Sequence, residues 1–197
     1  MQTRETYASL REGREPNLLL VQALGILKVR SGHALDIGAG PLNDTRFLLR
    51  ARFSVDAVDR DPHTLALASE LRDPRFRFVH ADIRDIPIAA ASYSLIAAIH
   101  VLPFLPRADL PRILSSIIDG LSPGGLLCCT FLGPEDSWAR QRPHMTFFSH
   151  CELQSIFSGL EPIVFSDCQY DGINAKDEPK RWHVLRCILR KWNGETW

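Results

Sequence analysis

Residues 33–40, His-Ala-Leu-Asp-Ile-Gly-Ala-Gly, narrow what this chain can fold into more than any other stretch. An apolar run ends in the carboxylate of Asp36, two glycines follow one residue apart, and Pro41-Leu42-Asn43-Asp44 opens a helix. The order is buried strand, tight turn, helix N-terminus. Gly38 and Gly40 allow backbone conformations and close approaches that a Cβ would block. The helix start offers unpaired N–H groups and a positive dipole end to an anion. Phe53-Ser54-Val55-Asp56-Ala57-Val58-Asp59-Arg60 reads as the next strand, ending in a carboxylate 23 residues after Asp36. An acidic residue about 20 positions on is what nucleotide-binding α/β units use to hold ribose hydroxyls.

The rest of the pattern repeats that alternation. Helical spacing runs through residues 6–29, with Pro16 expected to open the main helix and Tyr7, Arg11 and Arg14 in a polar arm before it. Strands are expected at 33–37, 54–58, 76–79, 91–101 and 126–132, with helices at 43–52, 64–72 and 107–120 between them. Strands separated by helices imply a parallel sheet with right-handed crossovers and ligands at its carboxyl ends. Beyond residue 132 the rhythm changes. A helix near 149–158 precedes strands at 161–169 and 182–190, joined without a helix and therefore antiparallel.

Composition excludes several classes. Lys plus Arg equal Asp plus Glu at 23 each, so no global field favours nucleic acid. No apolar run approaches the ~20 residues of a membrane span, and Met1-Gln2-Thr3-Arg4-Glu5 lacks a signal-peptide core. Five cysteines without a C-x-x-C read as reduced thiols of a cytoplasmic protein.

Leu35-Asp36-Ile37-Gly38-Ala39-Gly40, Val58-Asp59, Ala81-Asp82-Ile83 and Leu121-Ser122-Pro123-Gly124-Gly125 resemble the ordered motifs of class I S-adenosylmethionine-dependent methyltransferases. The flanks resemble the tellurite-resistance-type small-molecule methyltransferases. Tyr7 with Arg11-Glu12-Gly13-Arg14-Glu15-Pro16, then Asp136-Ser137-Trp138, then Glu178-Pro179-Lys180-Arg181-Trp182-His183-Val184 carry that likeness. The resemblance implies a Rossmann-like, doubly wound, mostly parallel seven-stranded sheet with an antiparallel last strand and helices on both faces. It implies one domain over 1–197: an N-terminal helical arm (1–30), a cofactor-binding core (31–132), and a substrate loop with a strand pair (133–197). The third motif position, usually glycine, is Leu42, so the methionine end of the cofactor is expected to be held differently.

Methyl transfer from a sulfonium is an in-line displacement. The protein has to align donor and acceptor at ~3–3.5 Å and exclude water, worth roughly 7–11 kcal/mol. The resemblance implies S-adenosylmethionine as cofactor and S-adenosylhomocysteine as product. Gly38, Ala39 and Gly40 lie beside its methionine and ribose portion, and Asp36 at the end of the first strand orders the turn or meets the ammonium through water. Asp59, followed by Arg60, accepts the ribose hydroxyls or caps the next helix. Asp82 accepts from the adenine amino group, with Ile83 on the ring face, or is a surface turn carboxylate. His100 contacts cofactor, deprotonates substrate as the one catalytic candidate, or packs.

Substrate candidates are Tyr7, Arg11, Phe104, Trp138, Arg140 and Phe147. Phe104, Trp138 and Phe147 form a lid facing the sulfonium or ordinary core; Arg11, Arg14 and Arg140 suit an anionic acceptor. His183 reads as a satisfied core histidine. No metal is expected, since Cys128 and Cys129 point to opposite faces of a strand, although Cys129, Cys151 and Cys168 offer a three-cysteine alternative. The leading acceptor is a soft or anionic nucleophile, a thiol or chalcogen oxyanion, bound by a monomer or homodimer. Three rivals stand: an O- or N-methyltransferase of a secondary metabolite, a non-catalytic cofactor-binding partner protein, and a dinucleotide oxidoreductase. The last is disfavoured by the missing third glycine.

Overall fold

The computed structural model describes residues 7–194 apart from Lys28 and Arg30, with side chains from Ser9 onward. In chain order the elements are α1 (Tyr7–Arg11), α2 (Leu18–Ile26), β1 (His33–Ile37), α3 (Asn43–Arg50), β2 (Ser54–Asp59), α4 (Pro62–Glu70) and β3 (Phe76–His80). Then come β4 (Tyr93–Ala98), α5 (Leu110–Gly120), β5 (Leu121–Leu132), α6 (Trp138–Gln141), α7 (His150–Ile156), β6 (Leu160–Ile173) and β7 (Pro179–Lys191). The seven strands lie in the order β3-β2-β1-β4-β5-β7-β6. Strands β1 to β5 pair in parallel, and β7 runs antiparallel to both neighbours. The sheet is the Rossmann-like one expected, with its reversed last strand placed between β5 and β6.

Strand alternation builds both faces. Leu35 and Ile37 of β1 point into a core with Ile113, Leu114 and Ile117 of α5 and Leu153 of α7. Ala34 points the other way, into a core with Leu19, Leu20 and Ala23 of α2 and Leu48 and Leu49 of α3. The strand order reverses direction between β1 and β4, the switch point where open α/β sheets leave a crevice at their carboxyl ends.

Three boundaries differ from the sequence reading. The first helical stretch divides into α1 and α2, because Gly13 adopts a φ of 72° and Asn17 rather than Pro16 begins α2. Asn17 caps that helix by accepting from the Leu19 N–H. β4 is shorter than 91–101, ended on either side by Ala91 and His100 with φ of 50° and 56°. β6 and β7 are longer than 161–169 and 182–190, so the hairpin tip shrinks to the Asn174 turn.

Leu42 does what a glycine would do there, and more. Its φ is 61°, a left-handed conformation costing about 1–2 kcal/mol for an L-residue. Its side chain is fully buried against Ala39, Ala57, Leu67 and Ala68, turned away from the crevice. The expectation that Leu42 alters how the methionine end is held therefore meets a side chain pointing the other way. Leu42→Gly should relieve the strain but open a cavity, for a net loss of about 1–3 kcal/mol. Urea unfolding checks this; a variant as stable as the parent would mean that strain outweighs packing.

Candidate functional site

The glycine turn after β1 is stitched to the end of β2. The N–H groups of Gly38 and Ala39 donate to the Val58 carbonyl at 2.8 and 3.1 Å, and that of Gly40 to Asp59 Oδ2 at 2.7 Å. Gly38 has a φ of 72°, and a Cβ there would sit 2.7 Å from the Val101 side chain. Asp59 Oδ1 accepts from the Asp61 N–H at 2.8 Å, while Asp61 itself caps α4. Asp59 is thus not the helix cap; it holds the turn.

Two cavities meet over this turn, sharing Gly38 and Phe104. The smaller, about 60 Å³, is lined by Asp59, Arg60, Asp82 and Ile83. Asp82 is already engaged there: Oδ1 accepts from the Arg84 N–H and Nε, and Oδ2 from Arg84 Nη2 and Arg60 Nη1. Those bonds, Arg84's first, hold its carboxyl down at about 2. The carboxylate expected to meet adenine is therefore an ion-paired one, and Arg60 is its exposed partner.

The larger cavity, about 390 Å³, takes in Asp36, Ala39, His100 and Trp138 together with Arg11 and Arg14. Asp36 is buried, and its Oδ2 accepts from Thr45 Oγ1, tying α3 to β1. Burial first, then the nearby Asp44 and Asp59, raise its pKa to about 7 against the opposing hydrogen bonds of Thr45. Asp44, which sequence reasoning passed over, accepts from the Asn17 N–H at 2.7 Å and is also pushed up by burial. Neither carboxylate has a basic side-chain partner among the described residues. A buried and a half-buried carboxylate on one wall fit an ammonium group.

His100 follows β4, with its N–H donating to Thr130 Oγ1 at 2.8 Å. Its ring is walled in by the cavity yet open to the space inside it. That enclosure, with Arg186 and Arg11 nearby, lowers its pKa to about 4, leaving a neutral imidazole at neutral pH. Over the cavity the N-terminal arm meets the hairpin tip. Arg11 Nη2 donates to the Asn174 carbonyl at 3.1 Å, and Asn43 Nδ2 donates back to the Arg11 carbonyl at 2.8 Å. Arg11 Nε is buried and has no hydrogen-bond partner among the described residues.

Several candidates fall elsewhere. The Tyr7 side chain lies outside the described residues. Arg140 is exposed on the single turn of α6 and does not line the cavity. Phe147 packs with Leu132, Met145 and Val184 beside Trp138, also away from the lining. Trp138 does line it, although Lys180 Nζ and Arg142 Cζ lie 4.3 and 3.9 Å from its ring, so its π system is engaged by other cations than a sulfonium. His183 is a satisfied core histidine: Nδ1 accepts from the Glu135 N–H and Nε2 meets Asp167 Oδ1 at 2.8 Å. Tyr170 and Trp182, directly opposite on β6 and β7, line the cavity and were missed as site residues. Their cross-strand pairing was the available signal, lost when the strands were drawn too short.

Comparison with known proteins speaks to the same turn. A family described as "Methyltransferase domain" matches residues 34–125. Residues 34–125, from β1 into β5, are thus similar to a methyltransferase domain. A carboxy-S-adenosyl-L-methionine synthase from Shewanella baltica is 33% identical over 145 residues, covering 66% of this chain and 59% of the relative. The chain thus spans about three fifths of the length of the curated relatives it matches first. Among solved structures, TehB from Haemophilus influenzae has a TM-score of 0.73 at 17% identity, covering 89% of this chain and 62% of that one. The N-methyltransferase NodS from Bradyrhizobium japonicum, in complex with S-adenosyl-L-homocysteine, has a TM-score of 0.67 at 18% identity, covering 87% and 85%. The matched methyltransferase domain ends at Gly125, so Trp138, Tyr170 and Trp182 lie beyond it.

Proposed function

We propose that the protein transfers the methyl group of S-adenosylmethionine to a small anionic acceptor and releases S-adenosylhomocysteine. One observation carries this reading: two cavities joined at Gly38, one beside Asp59 and Ile83, the other flanked by the unpaired carboxylates Asp36 and Asp44. That arrangement suits a nucleoside on one side and an amino-acid cation on the other. When bound, S-adenosylmethionine supplies an activated methyl carbon for in-line attack.

The chain's own residues do the rest. Asp59 accepts from ribose hydroxyls through lone pairs that the Gly40 and Asp61 N–H groups leave free. Ile83 backs the base, and Asp36 and Asp44 hold the ammonium. Phe104, shared by both cavities, shields the reacting carbon from water. Arg11 and Arg14 support an anionic acceptor, a thiolate or chalcogen oxyanion among them. The neutral imidazole of His100 favours a second reading, O- or N-methylation, in which it takes the acceptor's proton. With Leu42 turned away from the site, the main reason for a non-catalytic partner protein is gone. Five unpaired cysteines support a cytoplasmic setting, and we read the chain as one domain with the arm and hairpin closing over its core.

Calorimetric titration with S-adenosylmethionine and S-adenosylhomocysteine tests this, and failure of both to bind overturns it. A proton signature should accompany binding. Below about pH 7 Asp36 keeps its proton and offers the ammonium no charge, so affinity should rise as pH rises through about 7, with proton release. The same shift sets the sign for folding. Stability from this group is complete below the ordinary carboxylate range and is lost as pH climbs to about 7. Titration in two buffers of different ionisation heat measures the released proton; affinity flat across that range would place the ammonium elsewhere.

A further inference from the structure

One end of the large cavity is an aromatic wall. The rings of Trp138 and Trp182 stand 5.6 Å apart, Tyr170 lies 6.4 Å from Trp182 with planes only 22° apart, and Phe104 meets Trp138 edge-on at 6.3 Å. All four line the cavity. A thiol or a small oxyanion needs no such surface; four adjacent rings make a surface for another ring.

A buried charge lies behind it. Lys180 lies outside the cavity lining, and its Nζ is 4.3 Å from the Trp138 centroid and 4.1 Å from that of Trp182. Asp136 holds that ammonium, and its two oxygens also accept the N–H groups of Trp138 and His183 at 3.0 and 3.1 Å. One ion pair thereby fixes the backbone beside both tryptophans. Aromatic faces attract cations through a negative quadrupole. Faces already engaged by Lys180 and Arg142 have less of that potential left for a cationic ligand and suit an electron-rich ring. At the rim, Arg11 presents an unpartnered Nε, with Arg14 beside the same cavity.

We propose that the methyl acceptor is a planar, electron-rich anion, an aromatic or heteroaromatic ring carrying a carboxylate or ionised hydroxyl, and that Lys180 is the positioning residue that fixes and polarises the wall for it. This rests on the methyl-transfer reading of the same cavity. The ring lies against Trp138, Trp182 and Tyr170 while its negative group meets Arg11 and Arg14. A ring oxygen or nitrogen lone pair forms the new bond to the methyl carbon, and the carbon–sulfur bond breaks with its electrons staying on sulfur. Where the nucleophile carries a proton, His100 takes it.

Four probes decide this on the unmodified protein loaded with S-adenosylhomocysteine: salicylate, cyclohexanecarboxylate, benzamide and phenyltrimethylammonium. Calorimetry should show salicylate binding roughly three- to tenfold tighter than the saturated acid, with the cation weakest. Equal binding of the planar and saturated acids overturns the proposal, as does a cation that binds as tightly as salicylate. Lys180→Met should erase the preference for the planar acid while S-adenosylhomocysteine affinity holds, and Lys180→Arg should restore it. Should Lys180→Met fail to fold, Asp136→Asn combined with Lys180→Met removes both buried charges and gives the same reading. A preference that survives loss of the ammonium overturns the role of Lys180. If S-adenosylhomocysteine binds but no ring probe does, this proposal alone falls. If S-adenosylhomocysteine itself does not bind, the methyl-transfer reading falls and takes this one with it.

Discussion

Asp59→Ala is expected to weaken S-adenosylmethionine binding by about 100-fold or more, the largest loss any single side chain in the small cavity should give. A hydrogen bond to a charged group contributes about 1.5–3 kcal/mol, and a ribose offers this carboxylate two. A second loss compounds the first. Asp59 Oδ2 accepts the Gly40 N–H, so its removal frees the turn that must lie beside the cofactor. The fold should survive, since Asp59 is only partly buried and the turn keeps its two bonds to the Val58 carbonyl. Calorimetry measures the affinity, with a melting curve as control. Unchanged affinity in a folded variant would mean that the ribose is held by other groups.

Asp136→Ala should instead damage the fold, by about 3–5 kcal/mol, because it strands the buried ammonium of Lys180. Burial already pushes the Lys180 pKa down while Asp136 holds it up. Without that partner the side chain must lose its proton or drag itself to water, and the Trp138 and His183 N–H groups lose their acceptor. Urea unfolding reads the loss. A change below about 1 kcal/mol, the range of exposed ion pairs, would show that the pair is not buried in solution.

How much of this was written in the residues depends on distance along the chain. The ends of β1 were readable because Gly38 closes an apolar alternation at once, and Asp36 and Asp59 sit where nucleotide-binding turns put carboxylates. These are local matters of backbone geometry, and local pattern encodes them. Asp82 does line the small cavity, but its pairing with Arg84, two residues away, was not readable because spacing says nothing of whether a nearby cation turns inward. The acceptor wall was harder. Trp138 and Lys180 lie far apart in the chain, and a cation held between two indoles has no periodic signature. Arg140 was read as an arginine suited to an anion and Phe147 as part of an aromatic lid, on residue type and not on position. A single helical turn carries Arg140 outward, and Phe147 finds an apolar cluster of its own. Tyr170 was lost because β6 is an edge strand whose mostly exposed residues give weak alternation.

The last strand of the chain is not the last strand of the sheet. With β7 seated between β5 and β6, the hairpin is anchored at its base by the core but leads its tip, with Tyr170 and Trp182, out over the cavity. The small cavity beside the glycine turn is lined by residues between Gly38 and Leu105, whereas this part of the wall comes from the final thirty. Substitutions at the hairpin tip can therefore reshape that end of the large cavity without touching the backbone of the glycine turn.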